Sequence, residues 1–565
     1  MCGIAGIIGD NLQEHVLDNM LSVQKHRGPD FTGKTLLKNI FIGHNRLSII
    51  DLSEKSNQPF ISNCKRFIIS FNGEIYNYLE LKQQLKNDYH FYTNSDTEVL
   101  LAAYITWGKS CLEKLNGMFS FAIWDTKTAH LFAAKDRFGV KPFYYTIKNN
   151  TLYFSSEIKA LIAAGIERKP NKKVWANYFC YGSYGMPDET FWENIKQLPG
   201  GHYLSYKKHE LTISKWYFFE NGLKKYQLYN TKEEVKNAYK NLLEDSIKLR
   251  FRADVPVGFN VSGGLDSSVL LAFVKRTQKD KNIQAFTFYT NNENYDELPW
   301  VENLISKTKY PLHKVLLQAN EVEALAEKIS EIQDEPYGGI PTIAYAKIFN
   351  TAKKNGVTVL LDGQGMDEQW AGYDYYTSKG KHVIQGVSKS PFKKNVLSHY
   401  LLQFAQKPIY PKPFESELLN MQYRDLFFTK IPRALRFNDR ISMAESTELR
   451  EPFLDYRLVE FAFAQPIEYK ISNGTQKYLL REIVANYLDD TITYAPKRAL
   501  QTPQREWLSK ELKEFVSLQL KNMNNSTYSN WFDMDALLLE WNNYLTGDNE
   551  SSMHIWQWVN FAMLF

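Results

Sequence analysis

The sequence predicts two consecutive domains: an α+β domain of packed antiparallel sheets, then an α/β domain with a parallel sheet and a mostly helical carboxyl-terminal part. Up to about residue 215, short runs rich in β-branched and aromatic residues alternate with turn residues. After about residue 225, strand-like runs alternate with helix-like runs, which is the pattern of a parallel sheet. We therefore place the first domain at 1–215 and the second at 225–565.

Four runs of the first domain are predicted strands, because they are rich in β-branched and aromatic residues. The last of them contains Asn149-Asn150 between two aromatic stretches, which indicates a β-hairpin. A few helices complete this domain. The four runs are 40–51, 67–77, 118–125 and 143–156.

The second domain begins with a helix. Thr231 and Glu234 have the spacing of a capping box, and the apolar residues that follow recur at helical spacing. The runs 255–261, 285–289 and 357–361 are predicted strands, and a helix is predicted over 267–276. Because ligands of an open parallel sheet bind at the carboxyl ends of its strands, binding residues are expected just after these runs.

The composition excludes several classes of protein. Hydrophobic residues make up 44% and charged residues 23% of the 565 residues, which is typical of a globular protein. The net charge is only +5 and dense Lys/Arg runs are absent from the sequence, so no nucleic-acid partner is expected. No apolar run reaches about 18 residues and the sequence shows no signal peptide, so we expect a cytoplasmic protein without a membrane partner. The cysteines lack CxxC spacing and predict neither a disulfide framework nor a zinc site: Cys2, Cys64, Cys111 and Cys180.

Cys2 is a candidate nucleophile, because removal of Met1 would leave a thiol and a free α-amine on one residue. A cysteine thiol has a pKa of about 8.5 and an α-amine one of about 7.7 to 8.0, so the amine can serve as base for its own thiol. The alternative is a small buried residue near the start of a strand. Cys2 alone favours that alternative, and the neighbouring motifs change the balance.

Five segments appear in order: Cys2-Gly3-Ile4-Ala5-Gly6, His26-Arg27-Gly28-Pro29-Asp30, Arg46-Leu47-Ser48, Asn72-Gly73-Glu74-Ile75-Tyr76-Asn77 and Ser95-Asp96-Thr97-Glu98. Together they resemble the glutaminase domain of the class II, amino-terminal-nucleophile (Ntn) glutamine amidotransferases. The resemblance implies that the Asn72 side chain and the Gly73 N–H stabilise the oxyanion that forms when Cys2 attacks glutamine. It also implies that Arg46 binds the α-carboxylate of glutamine, whereas Glu74 and Asp96 bind its α-ammonium. Taken singly, these residues could equally form a surface ion pair or a turn, and residues 26–30 are interpreted as a structural loop.

The segment Val261-Ser262-Gly263-Gly264-Leu265-Asp266-Ser267-Ser268 lies between a predicted strand and a predicted helix. Small residues allow backbone N–H groups to approach an anion, and the helix adds its positive amino-terminal end. The segment lacks the Gly-Lys-Ser/Thr of a P-loop and resembles the pyrophosphate loop of the ATP pyrophosphatases (adenine nucleotide alpha hydrolase-like), which adenylate a carboxylate and release pyrophosphate. An ordinary Ser/Gly loop is the alternative. The resemblance implies that ATP binds at Ser262, Gly263, Gly264, Leu265, Asp266, Ser267, Ser268, Asp362 and Gly363.

A second carboxylate cluster, Asp362-Gly363-Gln364-Gly365-Met366-Asp367-Glu368, follows the predicted strand 357–361. Departing pyrophosphate needs charge neutralisation, which Mg²⁺ on one or two carboxylates can supply. By resemblance, Asp266 and Asp367 hold this Mg²⁺. Lys477 matches a lysine that stabilises the adenylation transition state, although a single lysine is otherwise more often part of a solvated face.

Further matches extend the resemblance over essentially the whole chain, to the glutamine-hydrolysing asparagine synthetases (asparagine synthetase B-like). It implies that ammonia from glutamine passes internally to an adenylated aspartate and gives asparagine, AMP, pyrophosphate and glutamate, and it leaves a homodimer open. The additional matching segments are 334–336, 436–444, 448–455 and Pro496-Lys497-Arg498.

Two departures affect the acceptor. Gln364 stands where the best-known members of the family carry Glu, and Asn260 stands where they carry Leu. Because Gln cannot ionise, a general-base or charged acceptor-contact role of that Glu is absent from this chain. Gln364 and Glu368 are nevertheless the candidate residues of the acceptor pocket. One alternative is therefore the same mechanism on another carboxylate, such as a uronic acid of a surface polysaccharide. A degenerate, non-catalytic sensor is another, against which the retained Cys2, Asp266 and Lys477 argue. The segment 262–268 argues against sugar-isomerase or phosphoribosyl-transferase partners of the first domain, and Cys2 against β-lactam-forming relatives.

Overall fold

The computed structural model describes residues 2–226, 229, 231–279, 282–377, 390–495, 501–548 and 550–565. The matched segment Pro496-Lys497-Arg498 lies outside the described residues, as does Met1.

The strands of the first domain form two antiparallel sheets. Numbered in chain order, they are β1 (Gly3–Ile8), β2 (Phe31–Leu37), β3 (Ile40–Arg46), β4 (Phe60–Ile61), β5 (Phe67–Ile75), β6 (Gly117–Asp125), β7 (His130–Lys135), β8 (Tyr144–Lys148), β9 (Thr151–Ser155), β10 (Lys196–Gln197), β11 (His202–Lys207) and β12 (Glu210–Lys215). The strand order is β10-β8-β9-β1-β3-β2 in one sheet and β12-β11-β7-β6-β5-β4 in the other. The helices are α1 (Glu14–Val23), α2 (Tyr78–Leu85), α3 (Asp96–Trp107), α4 (Cys111–Lys114), α5 (Ile158–Ala163) and α6 (Lys172–Tyr181).

The two sheets pack face to face, with helices on both outer faces. Ile4 and Ile42 of one sheet share a buried cluster with Ile68 and Ala122 of the other. Helices α1 and α5 cover the outer face of the first sheet, and α2 to α4 cover that of the second. This layered arrangement confirms the predicted antiparallel first domain.

A parallel sheet organises the second domain. Its strands are β13 (Val257–Asn260), β14 (Ala285–Tyr289), β15 (Leu312–Leu316), β16 (Val359–Leu361) and β17 (Glu448–Arg450), and their order is β15-β14-β13-β16-β17 with every pairing parallel. The chain therefore passes from β13 to β14 and β15 on one side and then crosses to β16 and β17 on the other, so the gap between β13 and β16 is a topological switch point, where ligands bind in such sheets.

Helices surround this sheet and form the carboxyl-terminal part, together with a hairpin of β18 (Ile471–Ser472) and β19 (Thr475–Gln476). They are α7 (Phe219–Leu223), α8 (Lys232–Arg250), α9 (Leu265–Thr277), α10 (Leu298–Ser306), α11 (Val322–Gln333), α12 (Ile340–Lys354), α13 (Met366–Gln369), α14 (His399–Leu402), α15 (Glu417–Phe427), α16 (Lys430–Ala444), α17 (Tyr456–Ala464), α18 (Ile467–Lys470), α19 (Tyr478–Val484), α20 (Asp490–Thr493), α21 (Gln504–Ser509), α22 (Lys513–Asn525), α23 (Met534–Leu545) and α24 (Met553–Leu564).

Several elements agree with the sequence patterns. The hairpin of β8 and β9 turns at Asn149 and Asn150, which adopt φ of 50° and 59°, as a tight hairpin turn requires. The Thr231 side chain caps α8 by accepting a hydrogen bond from the Glu234 N–H. Two strands of the parallel sheet were not predicted: β15, and β17, in which Glu448 and Arg450 are charged.

The two domains share buried side chains. Trp175 of α6, in the first domain, contacts the rings of Trp531 and Phe561 in the helical part of the second. Polar contacts also cross the interface: Asp439 lies 2.9 Å from the Arg27 guanidinium, and Arg440 donates to the Tyr144 hydroxyl at 2.6 Å. The relative position of the domains is therefore fixed by both apolar and charged contacts.

Asp455 is a buried carboxylate at this interface. It accepts hydrogen bonds from Arg250 (2.9 Å), Arg457 (2.8 Å) and Asn116 of the first domain (3.0 Å). Burial opposes ionisation of this carboxyl, but Arg250 and Arg457 outweigh it and hold the pKa of Asp455 well below its ordinary value. Its contribution to stability is therefore present above its unfolded-state pKa of about 3.9 and is lost as the pH falls below that value.

We expect Asp455→Ala to destabilise the protein by about 3–5 kcal/mol at pH 7, because Arg250 would remain buried without its carboxylate. Urea unfolding followed by tryptophan fluorescence measures the effect, and Asp10→Ala, at an exposed position, is the matched control. The difference between Asp455→Ala and the unmodified protein should shrink as the pH is lowered below about 4. Equal unfolding midpoints for the two variants at pH 7 would contradict this account.

Candidate active sites

Cys2 and Asn72 meet at the start of β1. The Cys2 backbone nitrogen donates to Asn72 Oδ1 at 3.1 Å, and both residues are buried. Asn72 Nδ2 is also buried and has no hydrogen-bond partner among the described residues. A buried amide donor without a partner is costly, so its retention next to a thiol indicates a group reserved for a ligand.

The Cys2 thiol lies in a dry environment, 4.0 Å from the Leu47 carbonyl oxygen. Burial raises its pKa, so a base must help to form the thiolate. Gly73 follows Asn72 on β5 with φ of 151°, and a Cβ there would come within 2.1 Å of the Met118 carbonyl oxygen. Only glycine fits at this approach of β5 to β6.

Arg46 carries a charge that the protein does not neutralise. Its guanidinium donates to the Ser53 carbonyl (2.9 Å), the Asn57 side chain (2.8 Å) and the Asp51 carbonyl, all of which are neutral acceptors. No carboxylate among the described residues forms an ion pair with it. A guanidinium oriented in this way can bind a ligand carboxylate.

Glu74 and Asp96 provide two buried carboxyls close to each other. Burial raises the pKa of Glu74 well above its ordinary value, and the neighbouring Glu448 and Asp96 raise it further. The pKa of Asp96 rises to about 7, mainly through burial, while its Oδ2 accepts the Ile75 N–H at 2.9 Å. Carboxyls with such raised pKa values favour a cationic ligand, because its charge would relieve their mutual repulsion.

Arg450 and Glu448 of the second domain reach this site; they belong to the matched segment 448–455, which the sequence did not place at the glutamine site. Arg450 lies within 3.5 Å of Glu74, donates to Glu448 at 2.5 Å and donates to the Arg250 carbonyl oxygen at 2.7 Å. All these contacts of Arg450 except the one to Glu448 are distant in sequence. The only local signal for them is the pair of charged residues Glu448 and Arg450 in the sequence.

The second site begins at the loop between β13 and α9. The Ser262 N–H donates to Ser267 Oγ at 3.0 Å, and the Gly264 N–H to Ser262 Oγ at 3.3 Å. The Gly263 N–H donates to the Glu297 carboxylate at 3.0 Å. An anion already accepts from this loop, which agrees with the expected phosphate-binding chemistry. Leu265, Asp266 and Ser268 form the first turn of α9, where Ser268 Oγ donates to the Gly264 carbonyl.

Lys477 joins the carboxyl ends of the two central strands. Its Nζ lies 2.5 Å from Asp266, after β13, and 2.6 Å from Asp367, after β16. Burial disfavours the ammonium, but the two carboxylates outweigh it and raise the pKa of Lys477 above its ordinary value. Gly372 packs so closely that a Cβ there would lie 2.0 Å from Asp367 Oδ1. Lys477 therefore stays charged at the switch point of the sheet.

Asp266 and Asp367 fit Mg²⁺. Both carboxylates approach one ammonium, so they can also hold a small hard cation between them. No group of three or more His, Cys, Asp or Glu suited to a metal exists in the described part of the chain. A bound Mg²⁺ would therefore complete its shell with phosphate oxygens and water, as this ion usually does.

The residues after β16 occupy different environments. Asp362 is buried, accepts the Gly363 N–H at 2.5 Å and contacts the Asn260 amide at 3.4 Å, and burial raises its pKa. Gln364 is half-buried. Glu368 accepts a hydrogen bond from the Tyr373 hydroxyl at 2.7 Å, and burial, with Asp367 nearby, raises its pKa to about 7.

Glu451 is a buried carboxyl that sequence reasoning did not assign to a site. It lies near Asp362 and beside the Gln364 backbone, and burial followed by the Asp362 charge raises its pKa well above the ordinary value. It also lines a cavity of about 20 Å³ at the domain interface, together with Tyr76, Met118 and Leu454. This space is large enough for one water-sized molecule and is lined by residues of both domains.

Comparison with known proteins identifies both parts of the chain. Residues 1–217 match the family model of a glutamine amidotransferase domain, and residues 238–565 match that of asparagine synthase. These parts define a glutamine-hydrolysing carbon–nitrogen ligase with an Ntn amidotransferase domain. The chain belongs to the asparagine synthase family.

Three relatives cover most of the chain. Asparagine synthetase [glutamine-hydrolyzing] 1 of Bacillus subtilis is 29% identical over 100% of this chain and 96% of the relative. Putative asparagine synthetase [glutamine-hydrolyzing] 2 of Methanocaldococcus jannaschii is 35% identical over 74% of this chain and 87% of the relative. Amidase chyE of Penicillium rubens is 27% identical over 94% of this chain and 93% of the relative. In the described part of this chain, no helix is long and apolar enough to cross a membrane.

Asn72→Asp tests the donor at the first site. The variant keeps an oxygen toward the Cys2 nitrogen but removes the buried N–H, so we expect glutaminase kcat to fall about 10²–10³-fold. Glutamate release measures this rate, and Asn63→Asp, at an exposed position, is the control. A loss below tenfold in Asn72→Asp would exclude Asn72 as an oxyanion donor.

Proposed function

We propose that the chain hydrolyses glutamine at Cys2, adenylates a carboxylate with Mg-ATP in the second domain and transfers ammonia to the acyl-adenylate. Aspartate is the proposed acceptor, and asparagine, AMP, pyrophosphate and glutamate are the proposed products. The observation that carries this proposal is the convergence of Lys477, Asp266 and Asp367 at the switch point of the parallel sheet. The names of the relatives support aspartate.

In the first domain, the Cys2 α-amine would take the thiol proton once Met1 has been removed. Asn72 Oδ1 orients that nitrogen, while Asn72 Nδ2 and the Gly73 N–H stabilise the negative charge that develops on the carboxamide oxygen. Arg46 would bind the glutamine carboxylate and the Glu74–Asp96 pair its ammonium. Each group is held by neighbours before the substrate binds, so little reorganisation is needed.

In the second domain, the loop 262–268 would bind the ATP phosphates through its N–H groups. The acceptor carboxylate attacks the α-phosphate, and pyrophosphate leaves. When bound, Mg²⁺ supplies charge neutralisation for the departing pyrophosphate. Lys477 adds a fixed positive charge to the same transition state, since Asp266 and Asp367 keep it protonated.

The cavity of about 20 Å³ beside Glu451 supports an internal passage for ammonia, because it is lined from both domains. Arg450 adds a direct link, as it contacts Glu74 and belongs to a strand adjacent to β16. A conformational change at either site would therefore be felt at the other.

A second candidate function is amidation of another carboxylic acid by the same steps. The neutral, half-buried Gln364 favours it, since a fixed carboxylate at that position could pair with the ammonium of an amino acid, whereas an amide cannot. The similarity to an amidase supports an acceptor range wider than aspartate.

Asp266→Asn and Asp367→Asn should each reduce pyrophosphate release at least about 100-fold with either glutamine or ammonium, because about 3 kcal/mol of charge stabilisation is lost. Glutamine hydrolysis should persist. Asp374→Asn, at an exposed position a short distance along the chain, is the matched control. Formation of ADP and phosphate in place of AMP and pyrophosphate would refute the assignment.

The acceptor is tested with protein whose amino-terminal Cys2 has been verified by mass spectrometry. Aspartate, Mg-ATP and amide-labelled [¹⁵N]glutamine should give [¹⁵N]asparagine, with one AMP per product. Cys2→Ala should lose this synthesis with glutamine and retain it with ammonium chloride, because the second domain needs only ammonia. Equal loss with both nitrogen sources would contradict the division between the two sites.

A further inference from the structure

Glu451 lies at the carboxyl end of β17, directly after Arg450. The ends of β16 and β17 are joined, because the Asp362 N–H donates to the Arg450 carbonyl oxygen at 3.0 Å. The residues that follow the two strands are therefore neighbours, and the Glu451 carboxyl lies beside the Gln364 backbone. Glu451 thus belongs to the edge of the sheet at which ligands of such folds bind.

This edge is in contact with the proposed phosphate loop. A Cβ at Gly363 would lie 3.4 Å from the Ser267 nitrogen and 3.6 Å from Asp266 Cβ. Consecutive Cα atoms are about 3.8 Å apart, so the Gln364 backbone beside Glu451 is one residue removed from that contact. The adenylation proposed for the loop would therefore take place at the same sheet edge as Glu451.

The other side of Glu451 faces the first domain. Its side chain lines the cavity of about 20 Å³ that both domains enclose, and Tyr76 and Met118 line this cavity from the first domain. Both residues adjoin the proposed glutamine site: Tyr76 follows Glu74 by two positions, and the Met118 carbonyl oxygen would lie 2.1 Å from a Cβ at Gly73. A cavity of this size can hold one molecule as small as water or ammonia.

The Glu451 carboxyl is buried without a partner. The residue is 4% exposed, and neither of its carboxyl oxygens forms a hydrogen bond to a described residue. Burying a carboxyl with no hydrogen bond is costly, and buried polar groups are otherwise almost always satisfied. Its presence at this place indicates that it interacts with a ligand during the reaction.

The other carboxyls at this edge are already engaged. Asp362 accepts a backbone N–H at 2.5 Å, and Glu368 accepts a tyrosine hydroxyl at 2.7 Å. Asp367 lies 2.6 Å from the Lys477 ammonium. Among these described carboxyls, Glu451 is the one whose two oxygens both remain available.

The surroundings of Glu451 make it a stronger base than an exposed glutamate. Burial, followed by the Asp362 charge, raises its pKa well above the ordinary value, whereas Lys141 and Arg250 lower it only in part. General bases are most effective when their pKa lies near the working pH, which an exposed glutamate does not reach. A positive charge on a ligand nitrogen beside this carboxyl would favour its ionised form.

Amide formation produces a proton that a nearby group must accept. Ammonia that has bonded to an acyl carbon carries three hydrogens and a positive charge, and it leaves again unless one proton is removed. Lys477 cannot accept this proton, because Asp266 and Asp367 keep it charged. Gln364 cannot ionise at all.

We propose that Glu451 is the catalytic base of the amidation and removes a proton from the attacking nitrogen. The inference rests on the proposed function. The nitrogen lone pair forms the C–N bond while the carbonyl π electrons move to oxygen, and the Glu451 carboxylate then takes one N–H proton. The carbonyl re-forms, the bond between the acyl carbon and the AMP oxygen breaks, and AMP leaves with that electron pair. Glu451 returns its proton to water before the next turnover.

Glu451→Gln tests this role, because the amide has nearly the shape of the carboxyl but accepts no proton. With aspartate, Mg-ATP and ammonium chloride, we expect asparagine formation to fall about 100-fold or more, as for the loss of a general base. Aspartate-dependent exchange of labelled pyrophosphate into ATP reports adenylation alone and should stay unchanged. Glutaminase activity should also stay unchanged, since Glu451 is not part of the glutamine site.

Hydroxylamine distinguishes a base from a structural residue. It is much less basic than ammonia, so its adduct loses a proton to water more readily and depends less on a protein base. We expect hydroxamate formation by Glu451→Gln to fall less than about tenfold, in contrast to asparagine formation. A damaged acceptor site would instead affect both nucleophiles equally.

Glu460→Gln is the matched control. Glu460 is also a buried glutamate, one of its oxygens has no partner among the described residues, and it does not line the small cavity. Its other oxygen accepts the Tyr217 hydroxyl at 2.9 Å, which an amide oxygen can also do. We expect this variant to retain all four activities.

Three outcomes would overturn the role of Glu451. They are unchanged asparagine formation in Glu451→Gln, equal losses with ammonia and hydroxylamine, and a loss with glutamine that ammonium chloride restores. The last would make Glu451 a wall of the passage and not a base. If the unmodified enzyme shows no aspartate-dependent pyrophosphate exchange, the proposed function fails, and it does so independently of Glu451.

Discussion

The buried guanidinium of Arg450 is the contact on which the relation between the two sites depends. It is fully buried, and its donors go to the Arg250 and Arg252 carbonyls and to Glu448, while Glu74 of the first domain lies within 3.5 Å. A buried charge keeps its place only while its partners surround it, because losing one of them leaves an uncompensated ion. Any movement of β17 relative to β5 therefore carries an electrostatic cost at the proposed glutamine site.

This contact also links the sites in strand order. Arg450 ends β17, which pairs with β16, and β16 leads directly into Asp362 and the proposed acceptor residues. Its other partner, Glu74, follows Gly73 on β5. The two proposed reaction centres are thus joined through one buried ion network and two strand ends, which would give a physical basis for coupling the proposed glutamine hydrolysis to the proposed adenylation.

Local patterns were enough to predict part of this structure. The Asn149-Asn150 turn and strand β14 are set by residues close in sequence, and β14 has the bounds that its apolar run indicates. Strand β17 could not be found in this way, because the Arg450 side chain is held by the carbonyl oxygens of Arg250 and Arg252, about 200 residues away in sequence, and by Glu448. The motifs identified candidate site residues, whereas the charges that surround them come from packing.

Groups without a partner could be identified only from the structure. The free donor of Asn72 is defined by what does not contact it, and no spacing in the sequence encodes that. The same holds for Glu451, which the chain places next to Gln364 although 87 positions separate them. Sequence reasoning found which residues are present, and burial decides which of them are left for a ligand.

The surroundings of Gln364 give a physical reason for its neutral side chain. Asp362, Glu368 and Glu451 are all buried near the carboxyl end of β16, and burial raises the pKa of each. A further carboxylate at position 364 would add repulsion to a region that already disfavours negative charge, and the proposed acceptor would bring its own carboxylate there. An amide at this position lowers that barrier while it still offers a donor and an acceptor. A neutral side chain at position 364 is therefore suited to the carboxyl that Glu451 contributes to the same region.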